Sequence, residues 1–181
     1  TNTISKNRRW VITLKVKLKL DKILELIGEG KVLALVSDAG TPTISDPGSM
    51  LVSKIREVYP EVEIVPIPGP SAVISALSVS GLPSSEFTFL GFLPHKKGRE
   101  TLFKEIAVTE RTVAFYESPH RILKTLESLK LHVGERKIVI AREISKIFEQ
   151  IISGSPEEVQ KYFNDNPDKV RGEFVVLVSG K

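Results

Sequence analysis

Apolar residues along this chain fall into short continuous runs, separated by stretches where they recur every three or four positions. The run Val32–Ser37 is apolar almost throughout, as expected for a strand buried on both faces. Ahead of it, Asp21–Ile27 carries apolar residues at helical spacing and stops at Gly28 and Gly30, both good helix terminators. Behind it, Asp46-Pro47 reads as a side-chain cap followed by proline in the first helical position. The spacing predicts a helix from there to about Tyr59, burying Leu51, Val52, Ile55 and Val58. Glu63–Ile67 is the next predicted strand. Pro68-Gly69-Pro70 ends it, and Ser71 caps a small-residue helix that runs to Ser80 and closes at Gly81. An alternation of strand, loop and helix predicts an α/β domain built on a parallel sheet.

A linker-like stretch, Leu82–Glu86, divides this half from a less regular one, which places two domains at 1–83 and 84–181. Strands are predicted at Phe87–Gly91, Thr112–Tyr116, Lys137–Arg142, Phe148–Ser153 and Phe174–Val178. Helices are predicted at Arg99–Ala107, Pro119–Leu131 and Pro156–Asn164. Ser118-Pro119 and Ser155-Pro156 each read as a cap followed by proline, and Glu158 completes a capping box on the second. Strands separated only by a short break within 137–153 imply a hairpin, so the second sheet is expected to be mixed. At the other end of the chain, Leu14–Leu20 alternates strictly, with lysines at every second position. That pattern fits first an edge strand guarded by lysines; the alternative is a basic strip for RNA phosphates.

Composition narrows the classes. With 41% hydrophobic and 27% charged residues, the 181-residue chain is an ordinary globular one rather than a disordered one. It contains no cysteine, which excludes disulfides and thiolate metal sites. Its apolar runs are far too short to span a bilayer, and the polar, basic residues 1–10 do not read as a secretory leader. The expectation is a cytoplasmic protein with no membrane association. The net charge of +4 points only weakly to a phosphate-rich partner.

Ligands of open parallel sheets bind beyond the carboxyl ends of strands. Two loops occupy such positions. Ser37-Asp38-Ala39-Gly40-Thr41-Pro42 offers small residues that let backbone approach a ligand, with a carboxylate at the strand tip. Pro68-Gly69-Pro70-Ser71-Ala72 opens a helix whose free N–H groups can hold a carboxylate. Neither a G-x-G-x-x-G turn nor a P-loop nor a G-x-S-x-G elbow is present. His95, His120 and His132 lack metal-ligand spacing, so no metal site is expected.

The stretch Val-Ser-Asp-Ala-Gly-Thr-Pro-Thr-Ile-Ser-Asp-Pro-Gly at 36–48 resembles the signature of the small-subunit ribosomal RNA ribose methyltransferases, methyltransferase I, within the tetrapyrrole methylase superfamily. Pro-Gly-Pro-Ser-Ala (68–72), Gly-Phe-Leu-Pro (91–94), Phe-Tyr-Glu-Ser-Pro-His-Arg (115–121), Ala-Arg-Glu-Ile-Ser-Lys (141–146) and Arg-Gly-Glu (171–173) follow in that family's order. The resemblance implies two α/β domains, S-adenosylmethionine bound in the cleft between them, ribosomal RNA of the small subunit as substrate, and a homodimer. By position, Asp38, Ala39, Gly40, Thr41, Pro42, Ser71, Ala72, Phe115, Tyr116 and Glu117 would line the donor site, with backbone near Val175 a weaker candidate. Arg142, Glu143, Lys146, Glu149 and Glu173 would face the RNA or the reacting hydroxyl. The family's opening strand and Pro-Ile-Gly-Asn loop have no counterpart in this sequence, so the first domain is expected to be incomplete.

Methyl transfer to a ribose hydroxyl needs alignment of nucleophile, methyl and leaving sulfur, together with help for a poor nucleophile. Glu143 or Glu117 would serve as base, and Lys146 or Arg142 as the cation that stabilises a developing alkoxide. An ion-pair network that only holds the hairpin is the competing reading. In the basic loop His95-Lys96-Lys97-Gly98-Arg99, the residues Lys96, Lys97 and Arg99 would clamp phosphates, or the loop is simply solvated. His120 and Arg121 would contact RNA, or Arg121 pairs with nearby acidic residues. A small-macrocycle methylase and a non-catalytic RNA- or partner-binding remnant of the same fold remain the alternatives.

Overall fold

The computed structural model describes residues 9–13, 20–46 and 48–181. Packing divides the chain into two compact units, Thr1–Ser71 and Ala72–Lys181.

In the first unit, strand β1 (Arg9–Thr13) runs parallel to β2 (Val32–Val36), in register from Arg9 opposite Val32 to Thr13 opposite Val36. Parallel neighbours need a crossover, and helix α1 (Leu20–Gly28) lies within it. Gly30, at φ +72°, turns the chain out of α1, and its amide donates to the Ile27 carbonyl at 2.8 Å. Helix α2 (Ser49–Val58) follows. Ile23 of α1 and Leu51 of α2 form a small core with Ile27, Leu33, Leu35 and Ile55.

Three expectations for this unit need correcting, and a fourth falls almost wholly outside the described residues. Strand β2 is not buried on both faces: Val32, Ala34 and Val36 are exposed and only Leu33 and Leu35 turn inward, because its described sheet has two strands. The run Glu63–Ile67 forms no strand; without a described neighbour to pair with, its Ile67 stays 77% exposed. Asp46 does not cap α2, which starts behind Gly48 with no side-chain cap; Pro47 lies outside the described residues. Of the lysine-faced strand expected at 14–20, residues 14–19 lie outside the described residues, and Leu20 opens α1 instead. Strand β1, unpredicted, is the Trp-Val-Ile-Thr stretch at 10–13, whose apolar β-branched run was the available signal.

The second unit opens with α3 (Ala72–Ser80), followed by β3 (Phe87–Phe92), α4 (Arg99–Val108), β4 (Thr112–Glu117) and α5 (Ile122–Val133). Then come β5 (Ile138–Arg142), β6 (Gln150–Gly154), α6 (Pro156–Asp165) and β7 (Phe174–Val178). The sheet order is β3-β4-β7-β5-β6. Only β3 and β4 run parallel; β7 is antiparallel to both of its neighbours, and β5 and β6 form the expected hairpin, with Arg142 opposite Gln150. The sheet is therefore mixed.

Both faces are covered. On one, Phe103, Ile106, Leu126, Leu129 and Phe163 from α4, α5 and α6 pack against Val113, Phe115, Ile138, Ile140 and Val176. On the other, Val73, Ala76 and Leu77 of α3 pack against Ala114, Val139, Ala141, Val175 and Leu177. That packing places α3 with the second unit, downstream of the 71/72 division rather than upstream of residue 84. Double coverage explains why β4, β5 and β7 read as uninterrupted apolar runs. Ser155 caps α6 through a complete capping box with Glu158. Ser118-Pro119 does not repeat it: residues 118–121 form a turn in which the Ser118 carbonyl accepts from the Arg121 and Ile122 amides, both at 3.1 Å, and α5 starts three residues later than expected.

Truncating Phe163, fully buried between Tyr162 and Phe174, to alanine is expected to destabilise the second unit by about 3–5 kcal/mol in urea unfolding. Ile67→Ser should change it by less than about 0.5 kcal/mol.

Candidate active site

The two loops of the first unit lie against each other. The Thr41 hydroxyl donates to the Pro70 carbonyl at 3.1 Å, and the Ser37 hydroxyl lies 2.9 Å from the Ala39 carbonyl and 3.1 Å from that of Gly40. Gly40 sits at φ +71°, with Pro70 O only 3.7 Å from where a Cβ would stand. Asp38, Ala39 and Gly40 are exposed, and Thr41 and Pro42 half-buried. Thr43 (φ 75°) and Ser45 (φ 55°) continue the loop in the left-handed region. Ser71 is half-buried at the end of the second loop.

In the second unit, Glu117 ends β4 with a carboxylate withdrawn from water; the residue is 1% exposed. One oxygen, Oε2, receives Arg99 Nη2 at 3.1 Å and the Thr125 hydroxyl at 2.7 Å. The other, Oε1, receives its neighbour's amide, Ser118 N, at 2.8 Å and Arg121 Nη2 at 2.7 Å. Each arginine also reaches back to the preceding loop: Arg99 Nη1 donates to the Pro94 carbonyl at 3.2 Å and Arg121 Nη1 to that of Leu93 at 3.0 Å. Arg99 Nη2 further donates to Thr125 Oγ1 at 2.6 Å, and its guanidinium lies over the Phe103 ring. This geometry bears on three of the expected site residues. Arg99 is a buried counter-charge rather than part of a surface phosphate clamp, half-buried Arg121 takes the ion-pairing alternative, and Glu117 has both oxygens occupied from within. Thr125, a polar residue on the core stripe of α5, escaped the sequence reading although that placement was its signal.

A second carboxylate cluster sits where β5 leaves the sheet. Glu143 and Glu173 exchange bonds: the Glu143 amide donates to the Glu173 carbonyl at 2.9 Å, and the Glu173 amide to Glu143 Oε1 at 2.8 Å. Lys146 Nζ bridges the two, 3.0 Å from Glu143 Oε1 and 2.9 Å from Glu173 Oε2. The Glu173 backbone amide, then Lys146, holds the Glu143 carboxyl below the usual glutamate range. Conversely Glu173, then Glu143, raises the Lys146 ammonium. Lys146 and Glu173 remain exposed while Glu143 lies behind them. Glu143, at φ 50°, and Ser145, at φ 61°, are left-handed without being glycine. Gly172, at φ +90°, makes room for this: a Cβ there would stand 2.6 Å from Glu143 Cγ, Cδ and Oε1. Its role was unassigned in the sequence reading, although it is the middle residue of the Arg-Gly-Glu string.

The remaining candidates disperse. Arg142 is buried, its Nε on the Arg171 carbonyl at 2.8 Å and its Nη1 on that of Phe148 at 3.2 Å. It braces the hairpin instead of meeting a developing alkoxide. Glu149 is exposed and accepts from the Ser145 amide at 2.5 Å. Phe115 turns its ring into the core, so only its backbone is presented. Tyr116 and Ala72 share the opposite face of the sheet, and burial pushes the Tyr116 phenol up against the opposing hydrogen bond from Val73 backbone. Lys96, Lys97 and His120 are exposed. A concavity of about 360 Å³ lined by Pro83, Glu86, Arg111, Thr112 and Ser179 lies at the opposite ends of β4 and β7 from Glu117 and Glu173. Among the described residues, no cluster of histidine and carboxylate side chains could hold a metal, and no helix is long and apolar enough to cross a membrane.

The family model of the Tetrapyrrole (Corrin/Porphyrin) Methylases matches residues 15–160. The ribosomal RNA small subunit methyltransferase I of Vibrio cholerae is 48% identical over 168 residues, covering 92% of this chain and 56% of that protein. Its namesake from Thermotoga maritima is 44% identical over 165 residues, covering 91% and 72%. Among solved structures, the methyltransferase CobJ superposes with a TM-score of 0.64 at 24% identity, covering 91% of this chain and 72% of that one. At that identity the likeness concerns the fold alone. The chain thus spans little more than half the length of the first of these relatives.

Gly172→Ala should lower stability by more than the about 1–2 kcal/mol that left-handed backbone costs an L-residue, since its methyl also displaces the Glu143 carboxyl; a shifted urea midpoint would show it. Because the folded Glu143 carboxyl titrates below its unfolded value of about 4.3, its contribution is complete above that pH and lost as pH falls through the lower folded value. The stability gap between wild type and Glu143→Gln should therefore hold from neutrality down to the ordinary glutamate range and close below it in acid titrations followed by circular dichroism.

Proposed function

Because this chain belongs to the tetrapyrrole (corrin/porphyrin) methylase family, and within it to the ribosomal RNA small subunit methyltransferase I group, we propose that it is a methyltransferase using S-adenosylmethionine to methylate a ribose 2′-hydroxyl of small-subunit ribosomal RNA. The observation that carries this reading is Lys146, a surface cation held between two carboxylates in the turn that follows β5. Such a group is oriented before substrate arrives.

S-adenosylmethionine supplies an electrophilic methyl on a sulfonium, and the protein's work is alignment and charge. The Asp38–Pro42 loop, Ser71, Ala72, the Phe115 backbone and Tyr116 are assigned to the donor. Lys146 offers its ammonium to the 2′-oxygen as it loses its proton. Glu143, kept ionised, fixes Lys146 and is a weak base. The hydroxyl proton leaves as the oxygen–methyl bond forms and the methyl–sulfur bond breaks, so the oxygen carries partial negative charge that the ammonium stabilises. Glu173, exposed beside Lys146, is assigned as the carboxylate that accepts this proton. Glu117 acts through Arg99 and Arg121 on the Leu93–Pro94 backbone. A cytoplasmic homodimer working on the small ribosomal subunit follows from the same reading.

Calorimetric titration of this chain with S-adenosylmethionine should give saturable binding near one per chain, and the folded chain should methylate unmodified small subunits. Lys146→Ala should leave donor affinity within about two-fold and lower turnover by about 10²-fold or more, the usual cost of losing one charge-stabilising group. A folded chain that binds no donor overturns the assignment for these residues.

A further inference from the structure

Phe92 is an aromatic residue that the function above leaves unused. It ends β3, where Gly91 takes φ +64° and the pairing with β4 shifts register between Phe89 and Phe92. Instead of entering the core, Phe92 stays 57% exposed. Its ring is backed by Tyr116, with centroids 5.3 Å apart, and Tyr116 is backed in turn by Phe89 at 5.0 Å. The backbone immediately after it is held from beneath, since the Leu93 and Pro94 carbonyls receive Arg121 and Arg99. Leu93 itself is buried. The chain then exposes His95, Lys96 and Lys97 before Gly98 turns it into α4. Among the described residues neither lysine joins a salt bridge.

An exposed apolar ring backed by Tyr116, followed within five residues by two lysines on an anchored loop, has the chemistry of a single-stranded nucleic-acid platform: a ring for a base to stack on and cations for its phosphates. We propose that Phe92 stacks on an unpaired base of the RNA substrate while Lys96 and Lys97 hold neighbouring phosphates. The proposal rests on the reading of RNA as substrate and adds a site to it. The arginine-held loop supplies the rigidity, so little ordering is required on binding. Exposed aromatic and basic residues on a protein-docking surface would not distinguish unpaired from paired RNA, which makes that distinction the test.

The experiment is fluorescence anisotropy of the full chain with a labelled single-stranded oligoribonucleotide of about a dozen nucleotides, and with its duplex, across a salt series. Phe92→Ala should weaken single-strand binding about ten-fold, within the range for one lost stacking contact, and leave duplex binding unchanged. Phe92→Trp should keep wild-type affinity or exceed it. The double variant Lys96→Ala, Lys97→Ala should reduce the salt slope by about 1.4, two phosphates at about 0.7 each. Thermal unfolding of each variant checks that the fold is intact. Equal single-strand affinity of wild type and Phe92→Ala, or an equal loss on the duplex, overturns the platform and leaves the methyltransferase reading standing. Absence of any RNA binding by wild type overturns both the platform and the choice of RNA as substrate, while donor binding still reports on the methyltransferase.

Discussion

A carboxylate removed from water at the end of β4 sets the terms for everything around it. An ion so buried carries an effective penalty of several kcal/mol unless it is paired and hydrogen-bonded on every side. Glu117 is matched by Arg99 from α4, Arg121 and Thr125 from the α5 region, and the amide that follows it. Two arginines for one carboxylate leave a surplus of donors, and these go to the Leu93 and Pro94 carbonyls. A single anion thus ties together the start of one helix, the approach to another and the loop leaving β3. The delayed start of α5 belongs to the same arrangement, because residues 118–121 turn so that Arg121 can reach Glu117.

Local strain collects in the parts assigned to chemistry. Thr43, Ser45, Glu143 and Ser145 are the described non-glycine residues with positive φ, and they fall in the loop after β2 and in the hairpin turn after β5. Each such residue costs about 1–3 kcal/mol in general and persists only where the surroundings over-determine it. Around Glu143 the determinants are visible: the reciprocal bonds with Glu173, the Lys146 bridge, the Arg142 brace and the space left by Gly172. Glu143 is fixed in place by its environment, and its carboxyl is fixed in charge by the same contacts.

The second unit was largely legible in the sequence and the first was not, for a physical reason. Strands β4, β5 and β7 are sandwiched between helices, so every position is apolar and the runs announce themselves. The capping box at Ser155 is a local motif that needs no tertiary context. Glu63–Ile67 has the same local character but lacks a described strand to pair with, and no pattern within five residues reports on a missing neighbour. The site divided along similar lines. The strings holding Glu117, Arg142, Glu143 and Lys146 lie where charged side chains gather in the structure. They could not say which charges would face each other, so Arg99 read as a phosphate clamp or a solvated cation, and Arg121 stayed open between RNA and an acidic partner.

Strand β7 lies in the middle of its sheet, with Val178 opposite both Val113 and Ile138, although it follows every other strand in the chain. During synthesis, β3 and β4 can pair as soon as they emerge, and β5 can fold back on β6. Neither half can close on the other until residues 174–178 have left the ribosome. Through that interval β4 and β5 each present an open apolar edge, the kind of surface that invites intermolecular strand pairing. The second sheet is therefore most open to intermolecular pairing late in translation rather than early, and slow decoding ahead of β7 would lengthen that exposure.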